Sequence, residues 1–471
     1  MARPSVPLRP SERKTVLVAF DLLLTAAAGV LALSVWAVRD GSVSVGVFVA
    51  ARLHWVLVLA GFWMLLLLLL DVYDLALAVD LRATFIALGR IALLETGGYL
   101  LLYFFSPRQA LPRGVVLYHS AIAMLLLTAW RAAYTTMASR ALRRRALIVG
   151  AGYAGCTIAR AIAEAGGTGL ELVGLVDDDA TKQDGNIAGL PVLGTTHELA
   201  GLAKRLGVVQ IILAITHDVP AALFRALLDC NEQGVEVVPM TLVFEEVTGK
   251  VPIDHVGGNW LVALPLGSAS TGGLFPLAKR ALDIAVALVG LAMLGVLFPF
   301  VALAIYLDSP GPIFYTQSRV GQSGRAFQLI KLRTMTPEAE RDGKAIWAVR
   351  DDPRITRVGR VLRAAHIDEL PQFINVMKGE MSVVGPRPER PEFVEKLVQD
   401  IPFYRLRHAV RPGMAGWALI KYGYGNSVED ARIKVQYDLY YVKHQSLHLD
   451  AFILLKTVQR MLSLEGRPSE G

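Results

Sequence analysis

Cysteine is almost missing from this chain: Cys156 and Cys230 are the only two in 471 residues. They stand far apart, without a second metal-type ligand near either, which argues against a disulfide framework or a structural zinc and fits a reducing compartment. Charge is scarce as well, at 19% of residues against 54% hydrophobic. With a mean hydropathy of +0.45, that balance argues against a soluble enzyme and for an integral membrane protein. The chain also lacks basic runs interleaved with stacking aromatics, so nucleic acid is not the expected partner of its net charge of +7. Much of the excess flanks apolar segments, where an anionic cytoplasmic leaflet is the better partner. No small-residue cleavage site follows the first apolar segment, so no cleavable signal peptide is expected.

What is present begins with four apolar segments, Val16–Val38, Trp55–Leu70, Phe85–Phe105 and Val115–Tyr134. Each is near the ~20 residues that carry a helix across a hydrocarbon core. Val43–Ala51 can extend the second around Arg52. Arg3, Arg9, Arg13 and Lys14 precede the set, and Arg140, Arg143, Arg144 and Arg145 follow it. An even number of spans with both basic ends inside obeys the positive-inside rule. Polar residues within the segments are few, so residues 1–140 read as an anchoring four-helix bundle rather than a transport pathway.

Residues 141–265 change character. Ala146-Leu147-Ile148-Val149 reads as a buried strand running into Gly150-Ala151-Gly152-Tyr153-Ala154-Gly155 and a helical stretch, Cys156–Ala165. Strands at Leu170–Val176, Pro191–Leu193, Val208–Ile215 and Val235–Pro239 alternate with helix-like segments, which predicts a parallel α/β sheet. Gly150, Gly152 and Gly155, with Asp177 some way beyond, form a Rossmann-like fingerprint in its required strand–turn–helix context. The same glycines serve tight turning and helix packing, so nucleotide binding by these four residues stays a separate question. No Tyr-x-x-x-Lys pair follows before Trp260, which argues against an NAD-dependent epimerase or dehydratase.

A small Gly- and Ser-rich linker, Leu266–Gly273, leads to a fifth apolar segment, Ile284–Leu307, interrupted by Pro299. Lys279 and Arg280 precede it; Arg319, Arg325, Lys331 and Arg333 follow. Positive charge on both flanks favours two cytoplasmic ends, and Pro299 removes a backbone donor, so 279–307 is expected to enter and leave one face as a helix broken at Pro299. A simple span is the competing reading.

The remaining third is dense in Arg, Pro and Gly. Asp352-Pro353-Arg354-Ile355-Thr356 is expected to begin an amphipathic helix on which Arg354, Arg357, Arg360 and Arg363 drift slowly along one face. The helix leads to His366-Ile367-Asp368-Glu369-Leu370-Pro371-Gln372, and then to Gly385-Pro386-Arg387-Pro388-Glu389-Arg390. Adjacent carboxylates cannot flank one glycosidic bond from opposite sides. Asp368 and Glu369 can share one Mg²⁺, or divide the roles of nucleophile and metal ligand or base. A guanidinium suits phosphate oxygens, which makes Arg387 a candidate clamp. A local ion pair with Glu389 or Glu392 is its competing use.

The pattern resembles the bacterial sugar transferases, the polyprenyl-phosphate hexose-1-phosphate transferases that begin lipid-linked exopolysaccharide and O-antigen synthesis. The resemblance runs through Lys279-Arg280, Asp283, Pro299, Ser309-Pro310-Gly311-Pro312, Lys331–Met335, Asp352–Arg357 and Asp368–Gln372. It continues through Asn375-Val376, Lys378–Ser382, Gly385–Pro388, Arg411-Pro412-Gly413, Asp438 and Tyr440-Tyr441-Val442. The chain departs from the family at Gly413-Met414-Ala415-Gly416-Trp417-Ala418-Leu419, where Thr and Gln are usual in place of Ala415 and Leu419. It departs again at Phe298, where small members have Ser before the proline. The bundle and Rossmann-like unit look like the family's long form. The implied architecture is a multi-domain membrane protein with a four-helix transmembrane bundle, an α/β Rossmann-like domain, and a mainly α monotopic catalytic domain at 266–471.

The resemblance implies transfer of a sugar 1-phosphate from a nucleotide diphosphate sugar to undecaprenyl phosphate in the bilayer, releasing UMP when the donor is a UDP-sugar. UDP-glucose and UDP-galactose are the expected donors. It implies a covalent phosphosugar intermediate on Asp368, Mg²⁺ held by Asp368 and Glu369, and phosphate contacts from Arg387, with Arg319, Lys331, Arg333, Arg360 and Arg411 as further candidates. The implied location is the bacterial inner membrane, multi-pass, with catalysis on the cytoplasmic face; a homodimer is a candidate assembly. A membrane scaffold or nucleotide sensor is the non-enzymatic alternative, and a polytopic transferase is disfavoured by the concentration of motifs in one domain.

Overall fold

The computed structural model describes residues 10–41, 44–73, 77–78, 80–103, 111–140, 144–166, 169–183, 185–215, 219–255, 274–336, 352–423, 425 and 427–462. The Leu266–Gly273 linker and the flanking Arg3, Arg9 and Arg143 lie outside them. Within the first compact unit, Met1–Thr248, come α1 (Pro10–Asp40), α2 (Val45–Ala51), α3 (Leu53–Leu69), α4 (Leu81–Tyr103) and α5 (Arg113–Arg140). α1, α4 and α5 each hold a stretch long and apolar enough to cross a membrane; α2 and α3 form another candidate, bent by 61°. The bend falls at Arg52, whose guanidinium lies 4.1 Å from the Phe48 ring centre.

Trp63, Leu67, Leu88, Ile91 and Leu127 are buried together, while Leu57, Leu93 and Leu125 face outward. The few buried ionisable groups in this bundle are matched with one another. Arg131 Nη2 lies 2.5 Å from Asp21 Oδ2, and His119 Nδ1 lies 2.8 Å from Glu95 Oε1. Pairing of this kind is what an apolar medium demands of charged side chains.

Next come β1 (Arg144–Val149), α6 (Tyr153–Ala165), β2 (Leu170–Val176), α7 (Leu199–Leu206), β3 (Gln210–Leu213), α8 (Ala221–Glu232), β4 (Glu236–Pro239) and α9 (Met240–Thr248). The strands form a parallel sheet in the order β2-β1-β3-β4. Alternation along β1 sends Ala146 and Ile148 to one face with Ile158 and Val243, and Leu147 and Val149 to the other with Leu202 and Leu227. Helices therefore cover both sides, as a parallel sheet requires. Pro191–Leu193 adds no full strand to this sheet; it contributes a bridge from Val192 to Leu175.

The second unit begins at Gly249, earlier than the boundary at 265 expected from sequence. Val251 and Ile253 are buried with Leu397, Tyr404 and Leu439, and Trp417 Nε1 donates to Gly249 O at 2.9 Å. Its elements are α10 (Phe275–Asp308), the antiparallel hairpin β5 (Phe314–Val320) and β6 (Ala326–Leu332), α11 (Arg357–Ala364), α12 (Gln372–Lys378), β7 (Ser382–Val384), α13 (Pro391–Asp400), β8 (Gly413–Ala415), α14 (Trp417–Lys421), α15 (Val428–Lys443) and α16 (Leu447–Leu462). β8 pairs parallel with β7. The mainly helical expectation holds for this unit.

α10 is one helix of 34 residues with Pro299 inside it. The expected break at Pro299 is therefore not present. Pro299 faces outward, while Phe298 stacks on Phe314 at 5.4 Å and Ile305 is buried with Leu332 and Leu362. A missing donor on the outer face does not part a helix whose inner face is held on both sides of it.

The start of α10 is pinned by charge. Lys279 Nζ donates to Asp450 Oδ2 at 2.8 Å and to Val384 O at 3.1 Å. Arg280 donates to Val376 O and Met377 O, the last carbonyls of α12, at 2.7 and 2.9 Å. Such side-chain donors satisfy a helix C-terminus. Asp283 Oδ1 accepts from Ser382 Oγ at 2.8 Å and Val383 N at 2.9 Å, with Asp283 and Ser382 both buried. Further along, the Phe373 ring lies against Gly290 so closely that a Cβ there would sit 2.1 Å from a ring carbon. Residues 279 to 305 of α10 thus bear on one and the same domain.

Removing the Asp283 acceptor orphans a buried hydroxyl and a strand amide. Asp283→Ala is expected to destabilise the full chain by about 2–3 kcal/mol, and Asp283→Asn, which keeps one acceptor oxygen, by less than half of that. Thermal unfolding in detergent reads the difference; equal losses for the two variants contradict the assignment.

Candidate active site

α11 is capped by Thr356, whose side chain accepts from Gly359 N at 3.0 Å. The helix therefore begins at Arg357, later than the sequence pattern suggested. Arg354 lies outside it and is turned onto Asp352, with Nη2 2.5 Å from Oδ2. The chain then reverses through His366, whose φ of 55° is left-handed, and delivers Ile367–Glu369 as a short 3-10 turn. This turn buries both carboxylates, Asp368 at 6% exposure and Glu369 at 8%.

Glu369 Oε1 accepts from two cations at once: Lys331 Nζ at 2.9 Å and Arg387 Nη2 at 2.7 Å. Lys331 comes from β6 and Arg387 from the Pro386–Pro388 segment after β7, so three stretches distant in sequence converge on one oxygen. Burial alone would raise the Glu369 carboxyl, but the charges of Arg387 and Lys331 outweigh it and hold the group well below its usual value. Burial pushes the Lys331 ammonium down, against the attraction of Glu369 and Asp368. The direction that governs the group is that of Glu369, because one carboxylate facing two cations stays ionised. Asp368, Glu369, Lys331 and Arg387 together make two negative and two positive charges.

The local pairing considered for Arg387 is not the one seen. Glu389 Oε2 lies 3.7 Å from Arg319, and Glu392 Oε2 lies 3.5 Å from Arg390. Arg319 donates to Pro388 O at 3.0 Å and Gln317 Oε1 at 2.6 Å. Arg333 donates to Ser309 O, at the end of α10. Arg360 is exposed and Arg411 half-buried, and neither has a contact that brings it to Glu369. Of the five weaker phosphate candidates, only Lys331 shares the oxygen that Arg387 holds.

Sequence reasoning missed Arg407. It is buried, with Nη2 2.7 Å from Asp438 Oδ2, Nη1 donating to Tyr404 Oη at 2.9 Å, and Nη2 donating to Arg387 O at 2.9 Å. Burial opposes its charge, but Tyr404, Asp438 and Glu389 overcome that and raise its pKa. Arg387 and Arg407 line two clefts. One, of about 190 Å³, also includes Val320 and Pro412; the other, of about 420 Å³, also includes Glu389, Leu419 and Lys434.

The Rossmann-like loop is closed on itself. Asp177 Oδ2 accepts from Ala151 N at 2.7 Å and Lys182 Nζ at 3.1 Å. Burial works against the Asp177 charge, but these bonds and the amide of Asp179 leave its pKa lowered. Gly150 has φ of 104°, Gly152 caps α6, and a Cβ on Gly155 would lie 2.0 Å from Gly150 O. These roles belong to the turn and to helix packing.

Among the described residues, no group of three or more His, Cys, Asp or Glu side chains forms a metal cage. Mg²⁺ does not need one, because it commonly binds through one or two carboxylates and completes its shell with water and substrate phosphates. Asp368 and Glu369, adjacent on the turn, fit that donor set.

A family model described as bacterial sugar transferase matches residues 275–464, and one described as CoA-binding domain matches residues 68–240. The chain is 42% identical over 239 residues to the UDP-N-acetylgalactosamine-undecaprenyl-phosphate N-acetylgalactosaminephosphotransferase of Aeromonas hydrophila, covering 51% of this chain and 55% of that protein. It is 40% identical to the UDP-glucose:undecaprenyl-phosphate glucose-1-phosphate transferase of Caulobacter vibrioides, covering 45% of this chain and 80% of that one. It is 42% identical to the exopolysaccharide production protein PSS of Rhizobium leguminosarum, covering 38% of this chain and 92% of that one. The chain thus spans about half the length of the Aeromonas relative and most of the other two.

Glu369 has a lowered pKa when folded, so the stability it contributes is complete above its ordinary value of 4.5 and is lost as pH falls through the lowered one. Melting temperatures taken from about pH 5 down to about pH 3 should fall more steeply for the native chain than for Glu369→Gln. Parallel curves contradict this role for Glu369.

Proposed function

The chain belongs to the bacterial sugar transferase family, and on that premise we propose that it transfers a sugar 1-phosphate from a UDP-sugar to undecaprenyl phosphate. The observation that carries this reading is the buried dyad Asp368–Glu369, with Lys331 and Arg387 on the Glu369 oxygen. Such a quartet can receive a diphosphate. In the first step an Asp368 oxygen attacks the phosphorus that bears the sugar. A new P–O bond forms there, the bond to the bridging oxygen breaks, and UMP leaves with that oxygen's electron pair. In the second step a phosphate oxygen of undecaprenyl phosphate attacks the same phosphorus. Asp368 is released as a carboxylate and the product is undecaprenyl-diphosphate-sugar. Holding the phosphosugar on Asp368 means that the soluble donor and the lipid acceptor need not be bound together.

Arg387 and Lys331 supply fixed positive charge beside the transferring group, where negative charge is spread over its oxygens. Glu369 keeps both cations in place before substrate arrives. Asp368 and Glu369 would hold Mg²⁺, which when bound neutralises diphosphate charge and that of the departing nucleotide phosphate. UDP-glucose and UDP-galactose are the donors we propose. The relatives' names differ in the sugar, so a panel of UDP-sugars decides it.

The reading places catalysis on the cytoplasmic face of a bacterial inner membrane, with the unbroken α10 held along its length against the catalytic domain on that face. Its support is that the charged start of α10 is bonded to β7, α12 and Asp450, while Asp308 at its end accepts from Val358 N at 2.8 Å. Both ends are thus tied to one polar domain. Single cysteines placed before and after α10 should react with an impermeant thiol reagent from the same side; reaction from opposite sides would show that α10 crosses the membrane and would remove this placement.

Asp368→Asn is expected to lower sugar-phosphate transfer by at least about 10³-fold and to abolish trapping of labelled phosphosugar on the protein. The assay takes membranes holding the full chain, a UDP-sugar and undecaprenyl phosphate, with and without EDTA. Turnover retained by the variant refutes the nucleophile, and turnover retained in EDTA removes Mg²⁺ from the scheme.

A further inference from the structure

We infer that Arg319 and Arg407 are positioning residues, which clamp the backbone carrying Arg387 so that its guanidinium stays on Glu369. The inference rests on the reaction proposed above and adds two residues that act through a third. Pro386 and Pro388 have no amide hydrogen, so the segment they frame has few donors of its own and must be held chiefly through its carbonyls.

All four carbonyls from 386 to 389 are taken. Pro386 O accepts from Gly413 N at 2.9 Å and Glu389 O from Val320 N at 2.9 Å. Between them, Arg387 O accepts from Arg407 Nη2 at 2.9 Å and Pro388 O from Arg319 Nη1 at 3.0 Å. The outer two donors are amides of neighbouring strand regions. The inner two, on either side of the Arg387–Pro388 peptide bond, are guanidinium groups.

Each guanidinium is itself anchored. Arg407 is buried, with Nε and Nη2 at 3.0 and 2.7 Å from Asp438 Oδ2 and Nη1 on Tyr404 Oη at 2.9 Å. Arg319 uses its second terminal nitrogen on Gln317 Oε1 at 2.6 Å, in β5. The planar fork of arginine explains the residue type, because it serves a side chain and a carbonyl together in a fixed geometry. A continuous path results: Asp438 to Arg407, Arg407 to the Arg387 backbone, and the Arg387 side chain to Glu369 at 2.7 Å.

The clamp matters because of where the segment stands. Pro386 and Pro388 are buried, but Arg387 between them is only half-buried and lines a cleft with Arg407, so its position depends on the bonds that hold its backbone. Displacing a charged catalytic group by about 1 Å costs on the order of 10²-fold in rate.

The test is a double-mutant cycle in membranes holding the full chain. Arg407→Gln and Arg319→Gln are each expected to lower kcat by about 10- to 100-fold. In an Arg387→Ala background each should cost less than about twofold, because the residue they position is gone. Arg319→Lys, which keeps a donor within reach of one carbonyl, should recover part of the loss. If Arg407→Gln fails to fold because Asp438 is left buried without its partner, Arg319→Gln decides, since its side chain is 20% exposed. Hydrogen exchange of the peptide covering 385–390 is read on the same variants without substrate, and about tenfold faster exchange confined to it is expected. Full-sized losses in the Arg387→Ala background, or unchanged exchange, overturn the clamp. Absence of transfer by the native chain would remove the proposed reaction, and exchange alone would then judge the clamp.

Discussion

One carboxylate oxygen shared by two cations organises the catalytic domain. Glu369 Oε1 draws Lys331 from a hairpin strand and Arg387 from a proline-framed segment to within 2.9 and 2.7 Å. Burying a lone carboxylate would drive it to its neutral form, so the cations and the carboxylate depend on one another. With Asp368 next in the chain, the group is charge-balanced without substrate. That balance lets two positive side chains stand ready for a diphosphate without repelling each other apart.

The rest of the domain holds these groups to position. α11 ends at a left-handed His366 that turns the dyad inward. β6 carries Lys331 and is fixed to α12 through Asn375, which accepts from Ile330 N at 3.1 Å and donates to Gln328 O at 2.7 Å. α10, long and apolar enough to cross a membrane, is locked to the domain by Lys279, Arg280 and Asp283. Outward, Val289, Phe300 and Leu307 remain exposed. The same helix thus carries polar anchors on its inner side and an exposed apolar face on the other.

Much of this was legible in the sequence. Segment length and flanking charge located the apolar helices, including the extension of the second around Arg52, though not the bend there. The glycine run after Val149 announced the parallel sheet, and the adjacency of Asp368 and Glu369 marked the dyad. What was not legible depends on partners distant in the chain. Arginines and lysines of similar appearance recur throughout 319–411, and sequence does not tell which bind carbonyls and which bind carboxylates. Arg319 and Arg333 looked like phosphate ligands and are bonded to Pro388 O and Ser309 O. Arg407 gave no local signal, and its pairing with Asp438 could not be read because it closes across 31 positions. The start of α11 was misread because the Arg spacing suggested a helix from Asp352, whereas Thr356 supplies the cap. Pro299 was read as a break because propriety of the outer face is invisible before the packing of Phe298 and Ile305 is known.

The central claim is that the phosphosugar rests covalently on Asp368 between donor and acceptor. Isotope exchange tests it most directly: labelled UMP is incubated with an unlabelled UDP-sugar, the full chain and Mg²⁺, with no undecaprenyl phosphate present. A covalent intermediate releases UMP before any acceptor arrives, so label should pass into the UDP-sugar, and Asp368→Asn should stop it. Label that enters the UDP-sugar only once the lipid acceptor is added would contradict the account.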